Sequence, residues 1–148
     1  MSTRQAGGIS GCSSYLVGTL LPSVTTLRLQ NIYDYEKTDL AGYPAATVTV
    51  TEQPAARLDN SRNKHTYRFV IRVFIDRNTQ NFGSNTAESI LRTLADEITL
   101  KVDGDNTLGG NCIFSEPAAA KFGYINAATD NIRVMEITLD CVDAVTFK

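Results

Sequence analysis

Few side chains in this 148-residue sequence could serve as nucleophile, base or metal ligand, and their spacing limits what each could do. The three cysteines, Cys12, Cys112 and Cys141, are an odd set without CxxC spacing, so spacing assembles neither a disulfide framework nor a zinc site. They read as small apolar packing residues in a reducing cytoplasm. Serine hydrolysis needs a serine on a sharp strand-to-helix turn, as in GxSxG, and a histidine base. Gly8-Ile9-Ser10-Gly11-Cys12 lacks that spacing and precedes any strand. Gly7, Gly8 and Gly11 follow no strand, so they do not form a phosphate cradle. An EF-hand loop starting at Asp103 would need glycine where Leu108 stands and glutamate where Phe114 stands, so Asp103, Asp105 and Asn106 read as a helix-ending turn. His65, the sole histidine, reads as a solvated residue at the mouth of a strand, with no partner for general-base work. Asp96 and Glu97 fall on the polar side of a helix, where solvation is the ordinary explanation. No catalytic, cofactor or metal residue is expected.

Arg68, Phe69, Arg72 and Phe74 mimic the basic, aromatic pattern of a nucleic-acid groove. Strand alternation instead places Arg68 and Arg72 on one face with Val70 and Phe74, a mixed face expected to be partly covered by a helix or a neighbouring subunit. A formal net charge of -2 gives no global attraction to phosphate, so any DNA nearby is not expected to be gripped. No stretch approaches the apolar length of a membrane span, and glycines and serines interrupt the N-terminal segment where a signal peptide would need an apolar run.

The elements that must position these groups follow from periodicity. Ile9, Cys12, Leu16, Leu20 and Val24 share a helical stripe, and Pro22 predicts an end near Leu21. Alternation predicts strands over Leu27–Asp34, Ala46–Thr51, Tyr67–Asp76 and Val134–Cys141, with a short strand at Cys112–Phe114 that Pro117 ends. Asn85 and Glu88 form a capping-box-like start for a helix carrying Ile90, Leu91, Leu94, Ile98 and Val102 to Gly104. Gln53–Lys64 and Ala118–Asn131 are expected as exposed loops. The expected fold is α+β, one domain over residues 1–148: a mainly antiparallel mixed sheet with two helices packed on it, in the order α-β-β-β-α-β-β.

Tyr33-Asp34-Tyr35-Glu36, Asp39-Leu40-Ala41-Gly42-Tyr43-Pro44-Ala45-Ala46 and the strand Thr47–Thr51 resemble the early part of phage tail terminator and related neck proteins. The strand Tyr67–Phe74, the helix with Ile90-Leu91-Arg92 and Leu94-Ala95-Asp96, Thr107-Leu108-Gly109-Gly110 and the strand Arg133–Leu139 continue the similarity in order. It covers nearly the whole chain from about Tyr33 onward and rests on hydrophobic patterns with a few turn residues. Over Met1–Gly11 it fades, and residues 1–11 are expected to be a flexible N-terminal segment. The resemblance implies a non-enzymatic virion protein, a hexameric ring that caps the tail tube and meets the head-completion protein, assembled in the host cytoplasm, with DNA passing through without sequence-specific binding. Another neck component, such as a head-tail stopper, or a tail-tube subunit is the alternative. Arg57, Arg62, Lys121, Phe122 and Tyr124 combine charge or aromatic anchors with loop placement, so they are the expected contacts to neighbouring subunits or tube proteins.

Overall fold

The computed structural model describes residues 2–4, 8–26, 28–35, 44–52, 55–57, 62–76, 84–110, 112, 114–124 and 132–147. Seven strands share one mixed sheet: β1 (Ser2–Arg4), β2 (Asn31–Tyr33), β3 (Ala45–Glu52), β4 (Ala55–Arg57), β5 (Arg62–Asp76), β6 (Phe114–Tyr124) and β7 (Ile132–Phe147). Two α-helices accompany it among the described residues, α1 (Gly8–Tyr15) and α2 (Ser84–Gly104), giving the expected α+β class in one domain. The spine is the antiparallel pair β5 and β7, in register from Arg62↔Thr146 to Asp76↔Ile132. β3 and β4 lie along the outer side of β5, β6 and β1 along the outer side of β7, and β2 adds a parallel strand beyond β3.

Alternation along the spine explains which face is dry. Tyr67, Phe69, Ile71, Val73 and Ile75 of β5 and Met135, Ile137, Leu139 and Cys141 of β7 are buried in one core with Leu91, Leu94, Ile98 and Val102 of α2. α1 lies over β3, whereas α2 lies over β6 and β7. Burying each large side chain contributes about 1.5–3 kcal/mol, so this face carries most of the folding energy.

The N-terminal stripe is held in an unusual way. α1 widens into a π-helical turn, Leu16–Leu20, where the Leu21 N–H bonds the Leu16 carbonyl, and then tightens into a 3-10 turn, Leu21–Ser23. Cys12, Leu16, Leu20 and Val24 recur every fourth residue, a spacing that drifts around a helix of 3.6 residues per turn. The wider π turn takes up that drift, and all four side chains are buried. Pro22 occupies the 3-10 turn and Val24 is extended, so the helix ends close to the expected Leu21.

Several boundaries differ from the sequence expectation. The first predicted strand shrinks to β2, with its approach fixed by the Gln30 N–H on the Pro44 carbonyl at 2.8 Å. The expected loop Gln53–Lys64 contains β4, folded back on the first residues of β5. Pro117 does not end its strand: β6 continues to Tyr124, with a register shift between Pro117 and Ala119. A proline without an N–H is tolerated at a bulge on an outer strand, and that is where it sits. Residues 118–124 are therefore strand rather than loop, and 125–131 lie outside the described residues. Within the segment 1–11, Ser2–Arg4 pairs with Val145–Phe147 and α1 begins at Gly8.

Candidate functional site

The five expected contact residues fall into two groups at opposite ends of the sheet. Arg57 closes β4 and Arg62 opens β5, where the backbone is in register with Thr146. Lys121, Phe122 and Tyr124 stand on β6 opposite Glu136, Met135 and Arg133, beside the far end of β5. Nine to thirteen residues of strand separate the two groups, roughly 30–40 Å at ~3.3 Å per residue. The structure thus does not bring them together, and it moves all five from loops onto strands. The side chains of Arg57, Arg62 and Tyr124 lie outside the described residues, whereas Lys121 is exposed and Phe122 is 41% exposed.

β6 pairs only with β7 among the described strands, so no described strand pairs with its outer backbone edge over Phe114–Tyr124. Ala118, Ala119, Ala120, Lys121 and Phe122 are exposed along it. Beside Phe122 an open groove of about 280 Å³ is lined by Arg72, Phe74, Lys121, Gly123, Val134 and Glu136. Phe122, opposite Met135 in register, alternates to the other side of β6 from Lys121, so this edge presents an exposed aromatic on one side and a partly apolar groove on the other, surfaces that can accept another protein.

The arginines on the sheet face away from the helices are already engaged. Arg68 grips Asp140 with Nε at 2.7 Å and Nη2 at 3.1 Å, and Arg72 donates its Nε to Glu136 at 2.9 Å. Each pair joins residues directly opposite in the β5–β7 register. Val70 between them and Phe74 beyond Arg72 are buried. The arginines of the mixed face are thus paired within the chain.

Two carboxylates read as solvated or turn residues hold the helices in place. Glu97 of α2 accepts the Thr25 N–H at 2.7 Å, the Thr26 N–H at 2.9 Å and the Thr25 hydroxyl at 3.1 Å, clamping the chain after the 3-10 turn. Burial pushes its pKa up, but the donors from Thr26 and Thr25 outweigh it and bring it down to about 2. Asp105, in the turn after α2, accepts the Tyr15 hydroxyl at 2.8 Å, the Thr107 hydroxyl at 3.1 Å and the Gly109 N–H at 3.1 Å. The Tyr15 bond chiefly, with the Thr107 and Gly109 donors, lowers its pKa against the effect of burial, and the same bond raises that of Tyr15. This is the helix-ending turn expected for Asp103–Asn106. It continues through Leu108, Gly109 and Gly110 at positive φ, which carries Leu108 into the core. His65 is not at a strand mouth: its backbone lies between Ala55 of β4 and Asp143 of β7.

The cysteines are buried as expected of packing residues, but they are not scattered through the core. Cys12, Cys112 and Cys141 are all buried, and their sulfurs lie within 4.8 Å of one another. Hydrogen bonding with Cys112 and Cys12, then burial, pushes the Cys141 thiol far above its ordinary range. CxxC spacing detects ligands that share a loop, and it is silent on thiols that a helix, a turn and a strand bring together.

No protein-family model and no curated protein matches this chain. Among solved structures, a chain of one described as "Virion of native gene transfer agent (GTA) particle" is similar at 19% identity and a TM-score of 0.47, over 89% of this chain and 84% of that one.

Proposed function

We propose that this chain is a non-enzymatic structural protein of a tailed-phage virion, a ring-forming tail terminator that caps the tail tube and joins it to the head-completion protein. The observation that carries the reading is the placement of the expected contact residues: Lys121 and Phe122 at one end of the sheet, on a strand edge that no described strand pairs, and Arg57 and Arg62 at the other. A closed ring of identical subunits uses heterologous contacts, in which one patch meets a different patch on the next copy, and two separated surfaces meet that requirement. The sequence resemblance from Tyr33 onward supports the hexameric form and the position at the tail end. The engaged Arg68 and Arg72, together with a net charge of -2, fit a bore through which DNA passes without being held. Assembly would take place in the host cytoplasm and the finished protein would reside in the neck of the virion.

The test is native mass measurement of the purified protein alone and with tail tubes, together with localisation in intact particles. A ring present as a single layer per tail supports the proposal, and Phe122→Asp should weaken ring formation at least tenfold while the monomer stays folded. A copy number that grows with tube length would instead make it a tube subunit. Location away from the head-tail junction would overturn the assignment.

A further inference from the structure

All the cysteines of the chain meet at one place in the core, although they come from three separate stretches of sequence. Cys12 stands in α1, Cys112 just before β6 and Cys141 in β7. Packing alone asks only for small apolar side chains of the right volume, and alanine or valine meets that demand on any of these elements. Three sulfurs from three elements, each within 4.8 Å of the others, also satisfy the geometry of a soft-ion site. An ion about 2.3 Å from each of three sulfurs holds them roughly 3.5–4 Å apart, so closing the cluster takes side-chain shifts of about 1 Å or less.

Charge then selects the ion. The three residues belong to the apolar core, and among the described residues the ligand group consists of the cysteines alone. The polar groups that touch them among the described residues are neutral: the Asn106 carbonyl accepts the Cys112 thiol at 3.8 Å and the Ser115 hydroxyl at 2.9 Å, and the Ser115 backbone pairs with Cys141. Three thiolates around a divalent ion would leave one uncompensated negative charge in this core, and around a monovalent ion two, which low-dielectric surroundings strongly disfavour. Three thiolates around a trivalent ion leave none. We infer that Cys12, Cys112 and Cys141 form a binding site for one soft trivalent ion of the arsenic(III) class, held as a neutral tris-thiolate. Binding balances without redox change: trihydroxyarsenic(III) exchanges three As–O bonds for three As–S bonds, and each departing hydroxide takes the proton of one thiol and leaves as water. The site is independent of the assembly role, because none of its residues lies on the outer edge of β6.

The experiment uses the full chain, reduced and folded, with arsenite as the probe. Native mass spectrometry should show a gain of one arsenic less three hydrogens per chain, with all three thiols protected from alkylation and the melting temperature raised, since a ligand that binds only the folded state stabilises it. Cys12→Ala, Cys112→Ala and Cys141→Ala should each weaken arsenite binding at least tenfold, and zinc at the same concentration should leave the melting temperature unchanged. Should an alanine variant fail to fold, X-ray absorption of the wild-type complex keeps the question decidable, with three sulfur neighbours expected. The inference is overturned by an absent mass gain, by fewer than three sulfur neighbours, by binding that lowers the melting temperature, or by zinc stabilising more than arsenite.

Discussion

Along β5, neighbouring residues meet opposite surroundings. Tyr67, Phe69, Ile71, Val73 and Ile75 point under the helices and are wholly buried among apolar side chains. Arg68 and Arg72 point the other way, and each lies against an acid directly across on β7. The first face is held by non-directional burial, in which any apolar group of suitable volume serves. The second is held by paired geometry, in which each member depends on its own partner. Damage to the covered face should therefore be large and shared, and damage to the paired face small and local.

The largest effect tests the first half of that contrast. Leu94 of α2 is fully buried in the core, so Leu94→Asp places a carboxylate where no water reaches and should cost about 4 kcal/mol or more. That is most of the ~5–15 kcal/mol that holds a typical domain, and circular dichroism should show no cooperative unfolding transition at room temperature. On the paired face, Glu136→Ala removes the acceptor of the half-buried Arg72 and should cost about 1–2 kcal/mol by urea denaturation. Replacing both, as Arg72→Met with Glu136→Leu, should restore much of that loss, because an apolar pair needs no partner geometry. A double variant weaker than Glu136→Ala alone would break the comparison.

The covered face was legible in the sequence because burial imposes a period. Leu91, Leu94, Ile98 and Val102 mark one side of α2, and alternate residues of β5 mark one side of the sheet, so both elements and the α+β class follow from spacing alone. Relations that join distant residues left no such trace. Glu97 looked like any polar helix residue, because nothing local says that Thr25 and Thr26 will turn their N–H groups toward it. Leu108 sits before two glycines in a stretch that reads as a turn, yet its left-handed backbone drives it into the core. Pro117 reads as a strand end because a proline cannot donate to a ladder, and only the bulge makes it acceptable within β6. The expected contact residues suffered similarly, since a low apolar content cannot distinguish an exposed outer strand from a loop.

Between the two effects on the paired face in size stands the Glu97 clamp. Glu97→Gln keeps an acceptor but loses the charge, and with solvent competing at this half-buried position the cost should be about 1 kcal/mol at neutral pH. The folded-state pKa of about 2 lies below the ordinary 4.5, so the charged form contributes stability above pH 4.5 that is lost as the pH falls toward 2. The variant and the parent should therefore converge in denaturation midpoint at the acid end of that window. A constant difference from pH 7 down to pH 2 would show that shape, rather than charge, makes the clamp.

The smallest effect is the most discriminating for the paired face. Arg68 and Asp140 form a two-point contact, but their side chains are 41% and 25% exposed, so water competes with each bond. Exposed pairs typically couple by about 0.2–1 kcal/mol, and the double-mutant cycle of Arg68→Ala with Asp140→Ala should fall in that range. Because the contact is electrostatic and near solvent, the coupling should shrink further as salt is raised from ~0.1 to ~1 M, where the screening length drops to about 3 Å. The Arg72–Glu136 pair is less exposed at its arginine, 29% against 41%, and its coupling should keep more of its value under the same change. Equal salt sensitivity at the two pairs would mean that water reaches them equally, and the paired face would then be uniform rather than graded along β5.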